Sequence, residues 1–151
     1  MYYIDMDGVV ADFKKWIESY KTFSEDEWRY TNEPWSVMED NIDVVYYNLE
    51  PTNLLPGFVN LYNTGQAKFL TALPKAWKDT EYWDIAAENK TAWLEKYVHK
   101  FKREDIIITP GAGPKIDYCQ PGDFLFDDRW DTIQRWNEAG GIGIRVEGSS
   151  D

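Results

Sequence analysis

The chain of 151 residues contains one cysteine, Cys119, and one histidine, His99. A single thiol cannot close an internal disulfide, and one Cys with one His is too few for a zinc site and a poor basis for a Cys–His nucleophile. A reducing, cytoplasmic setting is therefore expected. Basic residues are also scarce: 16 Lys and Arg stand against 27 Asp and Glu, a net charge of −11. Such a field repels polyanions, so a long nucleic acid is not expected as a partner. A small phosphate ester stays compatible with it, provided the site carries its own cation and lysine. No apolar run is long enough to cross a bilayer, and the chain enters a strand directly without a basic leader. Neither a membrane span nor a signal peptide is expected.

What the chain does have is apolar and aromatic mass, 43% and 17% of its residues, enough for one domain with a real core. Five short runs read as strands: Tyr2–Asp5, Ala67–Leu70, Asp105–Thr109, Asp123–Asp127 and Gly143–Val146. The stretches between them are mostly helical in pattern. Ile85–Lys102 carries Trp93, Leu94, Tyr97, Val98 and Phe101 at helical spacing, Phe58–Thr64 leads into the second strand, and Trp130–Glu138 stops at Gly140-Gly141. Alternating strands and helices predict an α/β fold with a Rossmann-like parallel sheet. Residues 14–56 break the rhythm. They are too long for one crossover and rich in Trp16, Trp28, Trp35, Tyr46 and Tyr47, so they read as a small helical cap inserted after strand 1. The division is then 1–13 with 57–151 for the core domain and 14–56 for the cap. Trp93 and Trp136 read as core, His99 as an exposed residue near a helix end, and Gly148–Asp151 as a loose tail.

Four polar stations follow four of these strands. Asp5-Met6-Asp7-Gly8 closes the first, Thr71 follows the second, Lys115 follows the third within Thr109-Pro110-Gly111-Ala112-Gly113-Pro114-Lys115, and Asp127-Asp128 closes the fourth. Each alone has an ordinary explanation: an Asp-Gly turn, a strand end, one solvated lysine among many, an acidic helix N-cap. In a parallel sheet, however, all four lie at the carboxyl edge, where ligands bind. Together they supply an anionic nucleophile, a second acid, donors for phosphate oxygens and carboxylates for a hard cation such as Mg²⁺. The Gly111–Lys115 loop is not an ATP-binding loop, because Pro114 and Ile116 flank the lysine where that pattern needs Gly and Ser or Thr.

The order of stations resembles the haloacid dehalogenase (HAD) superfamily of phosphatases, whose motifs are Asp-x-Asp, Ser/Thr, Lys and an acidic pair. Asp5-Met6-Asp7-Gly8-Val9-Val10-Ala11-Asp12-Phe13, Leu49-Glu50-Pro51 with Leu55-Pro56-Gly57, and Phe126-Asp127-Asp128-Arg129 are similar to its 5′(3′)-deoxyribonucleotidase branch. Glu88–Lys96 sits where that branch has a helix of similar aromatic and basic character. The resemblance implies a Mg²⁺-dependent phosphoric monoester hydrolase acting on deoxyribonucleoside monophosphates, with a helical cap between the first two motifs. It makes Asp5 the nucleophile and Asp7 the general acid and base. Thr71, the amide of Ala72 and Lys115 would hold the phosphoryl oxygens. Asp5, the backbone carbonyl of Asp7 and the pair Asp127-Asp128 would bind the ion, Asp128 being favoured as the direct ligand. Phe13 and Trp35 fall where the family has aromatic substrate contacts, and a base stacked on such a ring is held by ~1–3 kcal/mol.

Three alternatives stand beside this one. A phosphatase of small sugar phosphates would use the same stations. A signalling receiver would need its phosphoacceptor at the end of strand three, where Ile106-Ile107-Ile108-Thr109 offers no acid. A non-catalytic nucleotide-binding module would not need the full set of catalytic residue types.

Overall fold

The computed structural model describes residues 1–151. Five strands, β1 (Tyr2–Ile4), β2 (Ala67–Leu73), β3 (Ile106–Pro110), β4 (Phe124–Asp127) and β5 (Ile142–Arg145), form one sheet in the order β3-β2-β1-β4-β5. Every pairing is parallel, and helices cover the sheet, so the chain has the expected α/β, Rossmann-like fold. Connections leave β1 towards β2 but leave β4 towards β5. The strand order therefore reverses between the neighbours β1 and β4, and the crevice of an open parallel sheet forms at such a point.

The pleat sorts side chains onto two faces. Tyr3, Leu70 and Leu125 pack against Trp136 of α6 (Trp130–Glu138). Ile4, Phe69 and Leu73 join a larger cluster with Trp93 and Leu94 of α5 (Glu81–Tyr97). Both tryptophans are fully buried, and each indole N–H is satisfied, Trp93 on the Leu49 carbonyl at 2.8 Å and Trp136 on the Asp123 carbonyl at 2.9 Å. The helix expected at Ile85–Lys102 starts and ends earlier. Thr80, in extended backbone, precedes its first turn, and Lys100 at φ 60° bends the chain away towards β3.

Between β1 and β2 lie α1 (Phe13–Glu18), α2 (Glu25–Tyr30), α3 (Glu33–Asp40) and, leading into β2, α4 (Leu55–Tyr62). Asp12 caps α1 by accepting the Lys15 N–H, and Ser24 with Glu27 forms a reciprocal capping box on α2. Proline enters the first turns of α3 and α4, where its missing N–H costs nothing. Ile17, Phe23, Met38, Val45 and Tyr46 of this insertion are buried in the same cluster as Phe69 and Trp93. No helix is long and apolar enough to cross a membrane. The tail is not loose: residues 148–150 are hydrogen-bonded to the insertion's connectors, because Gly148 lets backbone pack against backbone there.

Candidate active site

Strand register puts the first and fourth stations side by side. Ile4 pairs with Phe126, and the Asp5 N–H donates to the Phe126 carbonyl at 2.9 Å, so Asp5 lies next to Asp127 on one sheet face. After Asp5 the chain turns sharply: the amides of Val9, Val10 and Ala11 all point to the Met6 carbonyl. Gly8 makes that turn at φ +80°, and a Cβ there would meet Asp128 Oδ2 at 2.1 Å. The glycine is required both by its backbone conformation and by the closeness of Asp128.

Carboxylate oxygens of Asp5, Asp127 and Asp128 all lie within 4.8 Å of one another, a group that could hold a metal ion. Lys115, 2% exposed, reaches this cluster from the α6 face of the sheet, with Nζ 2.8 Å from Asp127 Oδ2 and 3.1 Å from Asp5 Oδ1. It sits in the 3₁₀ turn Gly113–Tyr118, which carries the chain from β3 back across the sheet. Asp127 is completely buried and also accepts the Arg129 N–H at 3.0 Å. Its two oxygens are thereby engaged, whereas Asp128 opens onto the cavity. Burial, then repulsion from Asp127, raises the Asp5 carboxyl to about 7. Burial, then repulsion from Asp5, raises Asp128 to about 8. The Lys115 ammonium is pushed up in turn: burial opposes its charge, but Asp5 and Asp127 outweigh that penalty.

A second lysine arrives from the opposite face. Lys90 of α5 is fully buried and donates to Asp7 Oδ2 at 3.0 Å, Thr71 Oγ1 at 2.7 Å and the Ala72 carbonyl at 3.1 Å. Its ammonium also sits 4.4 Å from the centre of the Tyr46 ring. Asp7 Oδ1, by contrast, is buried without a partner. No sequence motif singles out Lys90, although a signal exists: it falls between Ala86 and Trp93-Leu94 on the buried stripe of α5, an unusual place for a lysine without an acid to meet.

The expected site residues are therefore disposed as follows. Asp5, Asp7, Phe13, Trp35, Ala72, Lys115 and Asp128 all line one cavity of about 350 Å³, a size suited to a small molecule. Thr71 and Asp127 lie behind it, fully buried and held by Lys90 and Lys115 respectively. β2 runs on to Leu73, so Thr71 and Ala72 are strand residues instead of the loop that follows. Met38 and Tyr46 join Phe13 and Trp35 on the insertion side of the cavity, and neither was foreseen there.

These groups fit a divalent cation. Asp7 pairs with Lys90, Asp5 and Asp127 pair with Lys115, and Asp128 stands beside Asp5 and Asp127. Fully ionised, the four carboxylates exceed the two ammonium groups by two negative charges, which one divalent ion would neutralise.

No family model matches the chain, and no curated protein matches it. Among solved structures, a HAD hydrolase of family IA, variant 3, from Entamoeba histolytica superposes with a TM-score of 0.55 at 14% identity, over 96% of this chain and 82% of that one. At that identity the likeness is one of fold. A hydrolase from Streptococcus pneumoniae TIGR4 aligns over 96% of this chain and 91% of its own at 11% identity, and its TM-score of 0.46 is too low to add to that.

Proposed function

We propose that the protein is a Mg²⁺-dependent phosphatase that hydrolyses nucleoside monophosphates, deoxyribonucleotides foremost, through an aspartyl-phosphate intermediate. One observation carries the reading: Asp5, Asp127 and Asp128 crowd together at the strand-order reversal beside Lys115, at a cavity lined by Asp5, Asp7 and Asp128. The HAD-hydrolase fold likeness and the motif order agree with it.

In this reading Asp5, Asp128 and the Asp7 carbonyl would hold the ion, and Asp127 fixes Lys115. A bound divalent cation would screen the repulsion between the Asp5 carboxylate and a phosphate dianion. An Asp5 oxygen attacks phosphorus in line and the ester P–O bond breaks. Lys115 and the backbone around Ala72 and Gly111 line the cavity where the phosphoryl oxygens gather negative charge. The Asp7 carboxyl gives the leaving oxygen its proton, and Lys90, donating to Oδ2, holds that carboxyl in place. The same group then accepts a proton from the water that cleaves the aspartyl phosphate, which returns Asp5 and releases inorganic phosphate. Residues 14–56 act as the cap, and Phe13, Trp35, Met38 and Tyr46 supply flat apolar surface for a nucleobase.

Phosphate release from a panel of nucleoside monophosphates and sugar phosphates, with Mg²⁺ and with a chelator, tests this. Metal-dependent turnover of nucleotides is expected, and Asp5→Asn should lower kcat by at least ~10³-fold while the protein still folds. Brisk hydrolysis of a sugar phosphate with none of any nucleotide would overturn the substrate class. Asp5→Asn activity within a few-fold of wild type would remove Asp5 as nucleophile.

A further inference from the structure

Two connectors join the insertion to the sheet: residues 8–12 leave β1 and residues 50–53 return. They pair as a short antiparallel stem around the Ala11–Pro51 bridge, with the Asp12 N–H donating to the Glu50 carbonyl and the Thr52 N–H to the Val10 carbonyl, each at 2.8 Å. Residues 148–150 lie across both connectors. The Gly148 N–H donates to the Gly8 carbonyl at 2.8 Å, on the outgoing connector. On the returning one, the Asn53 N–H donates to the Ser149 carbonyl at 2.9 Å and the Ser149 N–H to Asn53 Oδ1 at 3.0 Å. Ser150 then donates both its N–H and its hydroxyl to Asp12 Oδ2, at 2.9 and 2.7 Å.

Gly148 is needed where these segments meet. A Cβ there would lie 2.4 Å from the Val9 carbonyl oxygen and 2.5 Å from Thr52 Oγ1, one atom on each connector. Asp12 is buried and does two things: Oδ1 caps α1 through the Lys15 N–H at 3.1 Å, and Oδ2 takes Ser150. The segment starts from the acid pair itself, because Arg145 Nε donates to the Asp128 carbonyl and the Val146 N–H to the Asp127 carbonyl, each at 3.0 Å.

We propose that residues 146–150 are a clasp that holds the stem closed and so sets the insertion over the cavity, with Asp12 and Gly148 as positioning residues for substrate binding. The kinetic part of this rests on the phosphatase reading; the clasp itself does not. The physical reason is leverage. Phe13 follows Asp12 directly, and Trp35, Met38 and Tyr46 hang from the same stem. A small swing at residues 8–12 and 50–53 moves all four away from Asp5 and Lys115, and displacements near 1 Å already cost catalysis. A stem paired by so few backbone bonds opens locally unless something ties its strands together.

Two separate variants test it. Gly148→Ala forces the connectors apart. Asp12→Asn keeps a carbonyl oxygen for the helix cap but turns an NH₂ group towards the two Ser150 donors. Exchange of the Asp12 and Thr52 amides should quicken ~10-fold in both, while β2 and β4 amides keep their protection. KM for a nucleoside monophosphate should rise ~10-fold, with kcat, and turnover of p-nitrophenyl phosphate, whose small ring needs little from the insertion, staying within ~2-fold. Unchanged stem exchange in both variants overturns the clasp. So does a rise in KM for both esters together with a general loss of protection, which is what mere destabilisation would give. If Gly148→Ala does not fold, Asp12→Asn beside the milder Ser150→Ala decides. If wild type releases phosphate from no ester, the phosphatase reading fails, and stem exchange alone decides the clasp.

Discussion

At the rim of the sheet, Asp5, Lys90, Lys115 and Asp127 are nearly or wholly buried and every one is paired with opposite charge. Across the same cavity the insertion offers rings that touch chiefly one another: Phe13 with Trp28 at 6.3 Å, Trp28 with Trp35 at 5.4 Å, Phe13 with Tyr46 at 6.2 Å. The two regions are built on different physics. Buried ion pairs hold only in narrow geometries, since a charge displaced from its partner loses both solvation and attraction. Aromatic clusters tolerate sliding, because dispersion and area burial have little directional preference. A rigid rim suits bond-breaking, and a more adaptable insertion suits recognition. Tyr46 is where they meet, its ring beneath the Lys90 ammonium.

Substitutions on the two sides should therefore fail differently. Lys90→Met at the rim is expected to lower kcat by ~10²–10³-fold by freeing the Asp7 carboxylate from its fixed orientation. Asp7 is 28% exposed along its side chain and can rehydrate, so the thermal midpoint should move much less than loss of a sealed ion pair would cause. A variant with unaltered kcat would show that Lys90 is only structural. On the other side, Trp35→Ala should raise KM for a nucleotide ~10-fold, about 1.4 kcal/mol, and leave kcat within ~2-fold. Steady-state kinetics that show the reverse split would erase the contrast between the regions.

The smallest expected effect concerns charge at the rim without an ion. From an ordinary 3.8, Asp5 is raised to about 7 by burial and then Asp127, and Asp128 to about 8 by burial, then Asp5 and Asp127. A raised carboxyl binds its proton more tightly in the folded protein. Its stabilising contribution is therefore complete below the ordinary value and is lost as pH climbs through the raised one. Chelator-treated protein should melt ~5 °C lower at pH 8 than at pH 5, and added Mg²⁺ should recover most of the difference at pH 8. A midpoint flat with pH and indifferent to the ion would mean the carboxylates are not competing for charge in this way.

Much of this was legible in the chain. The five strands lie within a few residues of their expected places because apolar runs bounded by glycine, proline and acids are local signals. The acids at the ends of β1 and β4, and the lysine after β3, could be aligned to one edge because a parallel sheet brings its carboxyl ends together. Lys90 escaped because its meaning depends on a partner 83 residues away, and on its own turn of helix it reads as one more charged residue. Gly148–Asp151 read as a loose tail for the same reason: Gly-Ser-Ser has no intrinsic structure and becomes ordered only against the connectors it crosses.

Local periodicity and residue type were enough to determine an α/β chain with carboxylates at one edge, since those preferences act within a few residues of themselves. Which lysines neutralise those acids, which acid stays open to the cavity, and what ties the insertion down were decided by packing between distant segments. A charge is stable in the interior only where a partner arrives, and that arrival is a property of the folded chain as a whole.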